Sequence, residues 1–383
     1  MKKQQEEQNI REIRALLLTW FATAQRALPW RQKYHPYQVW ISEIMGQQTQ
    51  MERVAEYFSR WMELFPDVES LAQAPEQSVL KAWEGLGYYS RAHNIRRTAQ
   101  ILLRDHGGQI PASLQELLAL PGIGPYTAAA ILSIGFNQPF PLVDANVERV
   151  FARLYDLEEP VKAREGKKKI EAWAALLLDR DNPRAFNQAL MELGALVCTP
   201  KKPQCEICPL KYYCLACKRD TVAIRPVVSK RPGRIDIVMA CGIIELDGLL
   251  YIQQRLADDI WGGLWEFPGG RLEEGESPAE AAIREILEET GWQVQLDAAF
   301  QTVTHYYTRY RVTLHSFFCS LEKGQDKKPS LNAASQYAWV DEPTLHQYPF
   351  PAGHRQLAAL LNEKTAANQF VRSSSTRKRD KKK

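Results

Sequence analysis

The chain has 383 residues, 45% of them hydrophobic and 25% charged, with ten Trp and fifteen Tyr. That is enough apolar material for two packed domains, which excludes a disordered or fibrous chain, and no apolar run reaches membrane-spanning length. The formal net charge is only +4, and the last twelve residues, RSSSTRKRDKKK, carry seven Lys/Arg and one Asp, so the rest of the chain sits near −2. Any binding of a polyanion must therefore rest on local patches, such as the nine basic and two acidic residues between Thr199 and Arg234. Met1-Lys2-Lys3 runs into polar QQEEQN, not the apolar core of a secretory signal. This points to a reducing, cytoplasmic compartment with its cysteines unpaired.

From residue 9 to about 196 the apolar residues recur at helical spacing. Ile13, Leu16, Leu17, Trp20 and Phe21 mark the first stripe, and further stripes run over Val54–Phe65, Val79–Trp83, Ile95–Leu103, Leu114–Leu120, Thr127–Ile134, Val147–Leu154 and Ile170–Leu178. Residues 114–133, LQELLALPGIGPYTAAAILS, read as helix, tight turn, helix. Gly122 and Gly124 permit backbone conformations closed to other residues, and Pro125 suits a first helical turn. Amides at such a turn can receive an anion such as a phosphate, although a lone G-x-G is equally an ordinary connection. Asp144, just before Asn146-Val147, reads as a helix N-cap.

Cys198, Cys205, Cys208 and Cys214 are spaced C-x6-C-x2-C-x5-C in one basic loop. Four thiolates so close in sequence can enclose a soft metal centre, either one zinc ion or an iron–sulfur cluster. Cys217, Cys241 and Cys319 read as scattered structural or free thiols. Between Lys218 and Arg234, Pro226, Pro232 and Gly233 among charges mark a boundary.

Beyond it the period changes to two. IVMACGIIELDGLLYIQQR reads as two strands about Asp247-Gly248, with further strands at Phe300–Thr304, Tyr310–Leu321 and Tyr337–Val340. Residues 270–292, GRLEEGESPAEAAIREILEETGW, fit the Nudix pattern throughout. Ser277 and Glu280 form a capping box with Pro278 at the first helical position, and Gly291 ends the helix. Glu285, Glu288 and Glu289 fall at i, i+3 and i+4, so their carboxylates share a face that could hold Mg²⁺; a solvated acidic face is the plainer reading.

LPGIGPYTA (120–128), Asp144 in VDANVERV (143–150) and the four-cysteine loop together resemble the helix-hairpin-helix DNA glycosylase superfamily. LPWR (28–31), WISEIMGQQTQ (40–50), GLGYYSRA (85–92) and FNQALMELGALVCTP (186–200) narrow the resemblance to the adenine DNA glycosylases, the MutY family, over nearly the whole chain. The resemblance implies an all-α helix-hairpin-helix glycosylase domain with an iron–sulfur loop, followed by an α+β Nudix-like domain. The implied layout is a glycosylase domain over 1–218, with the hairpin at 114–133 and the loop at 198–214. A linker follows over 219–234, then an 8-oxoguanine-recognition domain over 235–366 and a basic disordered tail over 367–383.

The resemblance also implies one [4Fe-4S] cluster on Cys198, Cys205, Cys208 and Cys214, which decides against zinc. Its implied substrate is duplex DNA with adenine opposite 8-oxoguanine or guanine, bound by a monomer with no membrane partner. Glu43 is implied as general acid for the departing adenine, and Asp144 as the carboxylate that stabilises the cationic sugar. Each alone reads as readily as a helix charge or an N-cap. Tyr126 and Asn146 match positions that orient Asp144 or its water. Tyr126 stands where related endonuclease III enzymes carry a nucleophilic Lys, which implies base excision without strand cleavage. Arg31 and Gln188 match adenine-pocket positions. Gln48 and Tyr88 match residues that enter the duplex, with Tyr88 alternatively a core aromatic, and Gly46 departs from a larger apolar residue. Tyr307-Thr308-Arg309 aligns with the loop that senses 8-oxoguanine. The intact Nudix box leaves open a Mg²⁺-dependent nucleotide pyrophosphohydrolase, and an endonuclease III-like lyase is the other alternative.

Overall fold

The structure is a computed structural model of the chain and describes residues 2–228 and 233–363. It divides into two compact units, Met1–Gln73 with Asn94–Arg231, and Ala74–His93 with Pro232–Lys383.

The first unit is helical. Its core joins Ile13, Leu17 and Phe21 of the Lys2–Ala24 helix to Val147, Val150 and Phe151 of the Ala145–Leu154 helix. Ile170, Ala174 and Leu177 of the Arg164–Leu177 helix and Phe186, Leu190 and Leu193 of the Pro183–Leu196 helix complete it. Each fully buried side chain of this size contributes about 1.5–3 kcal/mol. These are the stripes expected from the helical period. The hairpin forms from a short Leu114–Leu118 helix, capped by the Ser113 side chain, and a Pro125–Ala130 helix that widens into a π-turn over Ile131–Gly135. Between them Gly122 has φ +75°, and a Cβ there would lie 2.7 Å from Asn94 Cβ. Only glycine meets both conditions.

Residues 219–228, expected as linker, fold onto this unit. Asp156 accepts from Thr221 Oγ1 at 2.6 Å and pairs with Arg225 Nε at 2.8 Å. The basic tail expected over 367–383 lies outside the described residues.

The second unit is a mixed sheet with a helix against it. Strands β1 (Ile235–Leu246), β2 (Leu249–Arg255), β3 (Trp265–Glu266), β4 (Gly269–Arg271), β5 (Val294–Tyr307), β6 (Tyr310–Leu321) and β7 (Ala334–Val340) follow in chain order. Their spatial order is β3-β2-β1-β6-β5, with β4 on β1 and β7 on β2. The β1–β6 pairing is parallel and the others antiparallel. The helix Pro278–Thr290 carries the expected capping box, Pro at its first turn and Gly291 at φ +74° as its C-cap. It buries Ala281, Ala282 and Ile286.

Ala74–His93 joins this unit although the resemblance places it in the glycosylase domain. Lys81 Nζ donates to Tyr348 O at 3.1 Å, Tyr89 Oη to Phe350 O at 3.2 Å and Trp265 Nε1 to Gln77 Oε1 at 2.9 Å. Helical periodicity carries no information about such distant partners.

Candidate active site

A cavity of about 460 Å³ in the first unit is lined by Arg31, Glu43, Gln48, Tyr126, Asp144, Asn146 and Gln188, among others. Four helices deliver five of these residues. Glu43 lies on the Pro36–Gly46 helix, Tyr126 opens the second helix of the hairpin, Asp144 and Asn146 begin the Ala145–Leu154 helix, and Gln188 projects from the Pro183–Leu196 helix. Tyr126 Oη donates to Glu43 Oε2 at 2.7 Å. Desolvation pushes the Glu43 carboxyl up to about 7, with the Asp144 charge adding to it and the Tyr126 hydrogen bond and Arg31 opposing. A carboxyl with that value holds its proton about half the time at neutral pH.

Asp144 is the N-cap. Its Oδ1 accepts from Val147 N at 2.7 Å and its Oδ2 from Asn146 Nδ2 at 2.7 Å. Burial raises its pKa, against these bonds. N-cap and charged wall of the cavity are thus one residue's two roles, not competing readings. Asn146 thus bonds Asp144 directly, whereas the Tyr126 hydroxyl bonds Glu43.

Arg31 lines the cavity but is held by Glu192, donating to Oε1 at 3.2 Å and Oε2 at 3.0 Å. Arg26 grips the same carboxylate at 2.9 Å through Nε and Nη2. Glu192 is fully buried. Burial opposes its ionisation, yet bonds from Arg26 and Arg31 bring its pKa down to about 2. Gln188 is buried, with Nε2 donating to Arg184 O at 3.2 Å. Gly46 borders the cavity with nothing within 4 Å of a Cβ built on it, so a larger residue would fit there.

Glu192 was not singled out from sequence, nor were Arg149 and Arg153. The available signal was their place on otherwise apolar helix faces, where a charge needs a partner. Arg149 donates to Asn146 Oδ1 at 2.8 Å, Gly194 O at 2.8 Å and Cys198 O at 2.7 Å. Arg153 donates to Cys198 Sγ at 3.3 Å and Thr199 O at 2.8 Å. The helix that Asp144 caps is therefore bonded to the first cysteine of the loop.

Cys198, Cys205, Cys208 and Cys214 line one cavity of about 30 Å³. Burial pushes the Cys208 thiol up to about 12 and the Cys214 thiol up to about 11, with neighbouring cysteines adding to it. Thiols raised in this way ionise beside a positive centre, which an iron–sulfur core would supply. Lys201 and Lys202 are exposed on this loop, whereas Lys211 pairs with Glu206 at 2.5 Å.

In the second unit Thr308 and Arg309 form the tip of the β5–β6 hairpin, between paired Tyr307 and Tyr310. Tyr88 is half-buried with its ring 5.3 Å from that of Tyr307, and the neighbouring Tyr89 is the core aromatic. Gln48, Tyr88 and Thr308 have φ of +59°, +49° and +53°, a region that side chains other than glycine's enter at a cost of about 1–3 kcal/mol. Three residues expected to meet DNA share this strain.

The Nudix carboxylates are not gathered into one ligand set. Glu289 turns inward, its Oε2 accepting from Gln253 Nε2 at 2.8 Å and Gly269 N at 2.9 Å. Glu285 and Glu288 both pair with Arg284, at 3.0 and 3.3 Å. Spacing set the shared face, but each carboxylate follows its own hydrogen-bond donor.

Residues 41–175 match the HhH-GPD superfamily of base excision DNA repair proteins, 239–360 a NUDIX domain and 198–214 the iron-sulfur binding domain of endonuclease III. The adenine DNA glycosylase of Buchnera aphidicola (Schizaphis graminum) is 35% identical over 66% of this chain and 73% of its own length. That of Rattus norvegicus is 30% identical over 87% of this chain and 75% of its own.

The chain belongs to the adenine DNA glycosylase family. Among solved structures, a thermostable thymine-DNA glycosylase superposes with a TM-score of 0.52 at 27% identity, covering 56% of this chain and 99% of its own. The enzyme is thus a DNA N-glycosylase of base excision repair that carries an iron–sulfur cluster. No described helix is long and apolar enough to cross a membrane.

Proposed function

We propose that this glycosylase, acting as a monomer, releases adenine standing opposite 8-oxoguanine or guanine in duplex DNA and leaves the strand uncut. The observation that carries the reading is the pair of carboxyls in one cavity, with Glu43 raised to about 7. Adenine must leave the stack to reach such a cavity, at a cost of roughly a few kcal/mol. Glu43 then delivers its proton to a ring nitrogen of the departing purine. Asp144, held by Val147 N and Asn146, keeps its charge beside the sugar as positive charge develops there. Water completes the hydrolysis. Tyr126 in place of an amine supports simple base release, since a phenol forms no imine.

Cys198, Cys205, Cys208 and Cys214 would hold a [4Fe-4S] cluster, which shapes the basic loop and takes no part in bond cleavage. The exposed Thr308 hydroxyl at the hairpin tip would accept the N7–H that marks 8-oxoguanine, with Tyr88 and Gln48 entering the duplex.

Single-turnover cleavage of duplexes with adenine opposite 8-oxoguanine, G, T or C tests the reading. Glu43→Gln should lower the rate by about 10²–10⁴ and Asp144→Asn by about 10²–10³. Wild-type release from Asp144→Asn, or strand nicking as fast as base release, would overturn it.

A further inference from the structure

Residues 256–264 join β2 to β3 and carry Trp261. Its ring meets that of Tyr307 edge-on, with centroids 6.0 Å apart and planes at 74°. The Tyr307 ring in turn lies 5.3 Å from that of Tyr88. Tyr88, Tyr307 and Trp261 thus form one column with a cation at each end. Arg91 Cζ lies 5.4 Å from the Tyr88 centroid, and Arg255 Cζ lies 5.8 Å from the Trp261 centroid. Arg255 is fixed in turn, because Glu266 Oε2 accepts from its Nη1 at 2.6 Å and Asp259 accepts from its Nη2. The loop is fixed as well. Trp261 O accepts from Leu264 N at 3.2 Å, and His93 Nε2 donates to Gly262 O at 3.0 Å. Gly263 O accepts from Gln77 Nε2 at 3.0 Å and from Gln254 Nε2 at 2.8 Å. A Cβ on Gly262 would lie 2.4 Å from Ala257 O, so this turn closes only on glycine.

We propose that Trp261 is a positioning residue for reading the base opposite adenine: it holds the Tyr307 ring, and with it the Thr308 hydroxyl, in place while the duplex is bound. The inference rests on the proposed reading of Thr308 as the 8-oxoguanine contact. Thr308 follows Tyr307 at the tip of the β5–β6 hairpin, and its φ of +53° is a conformation that its surroundings must enforce. Thr308 and Arg309 are themselves exposed, so that support comes through Tyr307. Tyr88 and Trp261 both pack against the Tyr307 ring. In the proposed function Tyr88 enters the duplex, so its contact with Tyr307 changes when DNA binds. Trp261 is the neighbour that stays, because its loop and the guanidinium against it are bonded within this unit. A hydroxyl tells N7–H from a bare N7 only when it is held at hydrogen-bond distance, so slack at Tyr307 is lost discrimination. Trp261 touches neither base in this arrangement. It acts on the preference between mispairs and not on the excision chemistry.

Single-turnover adenine release by the full chain, from duplexes with adenine opposite 8-oxoguanine and opposite guanine, gives the preference as a ratio of rates. Trp261→Ala should lower that ratio about three- to tenfold, the worth of one aromatic pair, by slowing the 8-oxoguanine duplex while the guanine mispair keeps its rate. Trp261→Phe keeps a ring against Tyr307 and should restore most of the ratio, whereas Trp261→Leu, apolar but without a ring, should not. Added to Thr308→Ala, Trp261→Ala should lower the ratio no further, since both act through one contact. Equal slowing on both duplexes, additive losses in the double variant, or a Trp261→Leu ratio matching that of Trp261→Phe would each overturn the proposal. If Trp261→Ala does not fold, the comparison of Phe with Leu decides. A wild type with no preference, or a Thr308→Ala that keeps it, sinks the reading of Thr308 and this inference with it. A preference lost in Thr308→Ala but kept in Trp261→Ala sinks the inference alone.

Discussion

Tyr126→Phe removes one hydroxyl, and that hydroxyl donates to Glu43 Oε2 at 2.7 Å. A hydrogen bond to an ionised carboxylate is worth about 1.5–3 kcal/mol and one to a neutral group about 1 kcal/mol. Its loss therefore costs the Glu43 anion about 1–2 kcal/mol more than it costs the acid. At about 1.4 kcal/mol per pH unit, the Glu43 pKa climbs by about one unit from its value of about 7. The acid form is the active one, so the alkaline limb of the rate should move from about pH 7 to about pH 8. At about pH 8.5 the variant keeps roughly a quarter of its own maximal rate and the wild type only a few per cent, an advantage of roughly eightfold. Single-turnover adenine release between about pH 5.5 and 9.5 measures this, each enzyme normalised to its plateau. A lower plateau is compatible with the reasoning. A limb that stays in place, or moves to lower pH, refutes Glu43 as the proton donor tuned by Tyr126.

Glu192→Gln leaves Arg26 and Arg31 without their buried counter-charge and should lower unfolding free energy by about 3 kcal/mol in denaturant titrations. Because the folded-state pKa of Glu192 lies near 2, below the ordinary carboxylate value, its stabilisation is complete above about pH 4.5 and is lost as pH falls towards 2. The difference between wild type and Glu192→Gln should therefore narrow in that window. Gly122→Ala places a methyl 2.7 Å from Asn94 Cβ at φ +75°, and should lower thermal stability by about 1–3 kcal/mol and weaken duplex binding. Thr308→Ala should reduce the preference for adenine opposite 8-oxoguanine over adenine opposite guanine by about tenfold, the worth of one hydrogen bond, with the rate on the guanine mispair unchanged.

Local chemistry was legible in the chain wherever neighbours in sequence are neighbours in space. Ser277, Pro278, Glu280 and Gly291 delimit their helix as the capping rules require, and Asp247-Gly248 turns the first hairpin. Asp144 was readable both as an N-cap and as a site candidate, and it caps its helix while lining the cavity. The four cysteines marked a metal centre because their spacing alone confines them to one loop.

Sequence by itself therefore determined the inventory: the helical first part, the Nudix-patterned second part, the cysteine loop, and the carboxyls available for acid and charge. Tertiary structure decided what each group is paired with. It sent Tyr126 to Glu43 rather than to Asp144, gave Arg31 to Glu192, and turned Glu289 inward to Gln253 and Gly269 N. The reason is physical. A residue's type and its near neighbours set which bonds it can make, but burial and the approach of distant segments set which bond it does make. A carboxyl's proton affinity depends on that second choice.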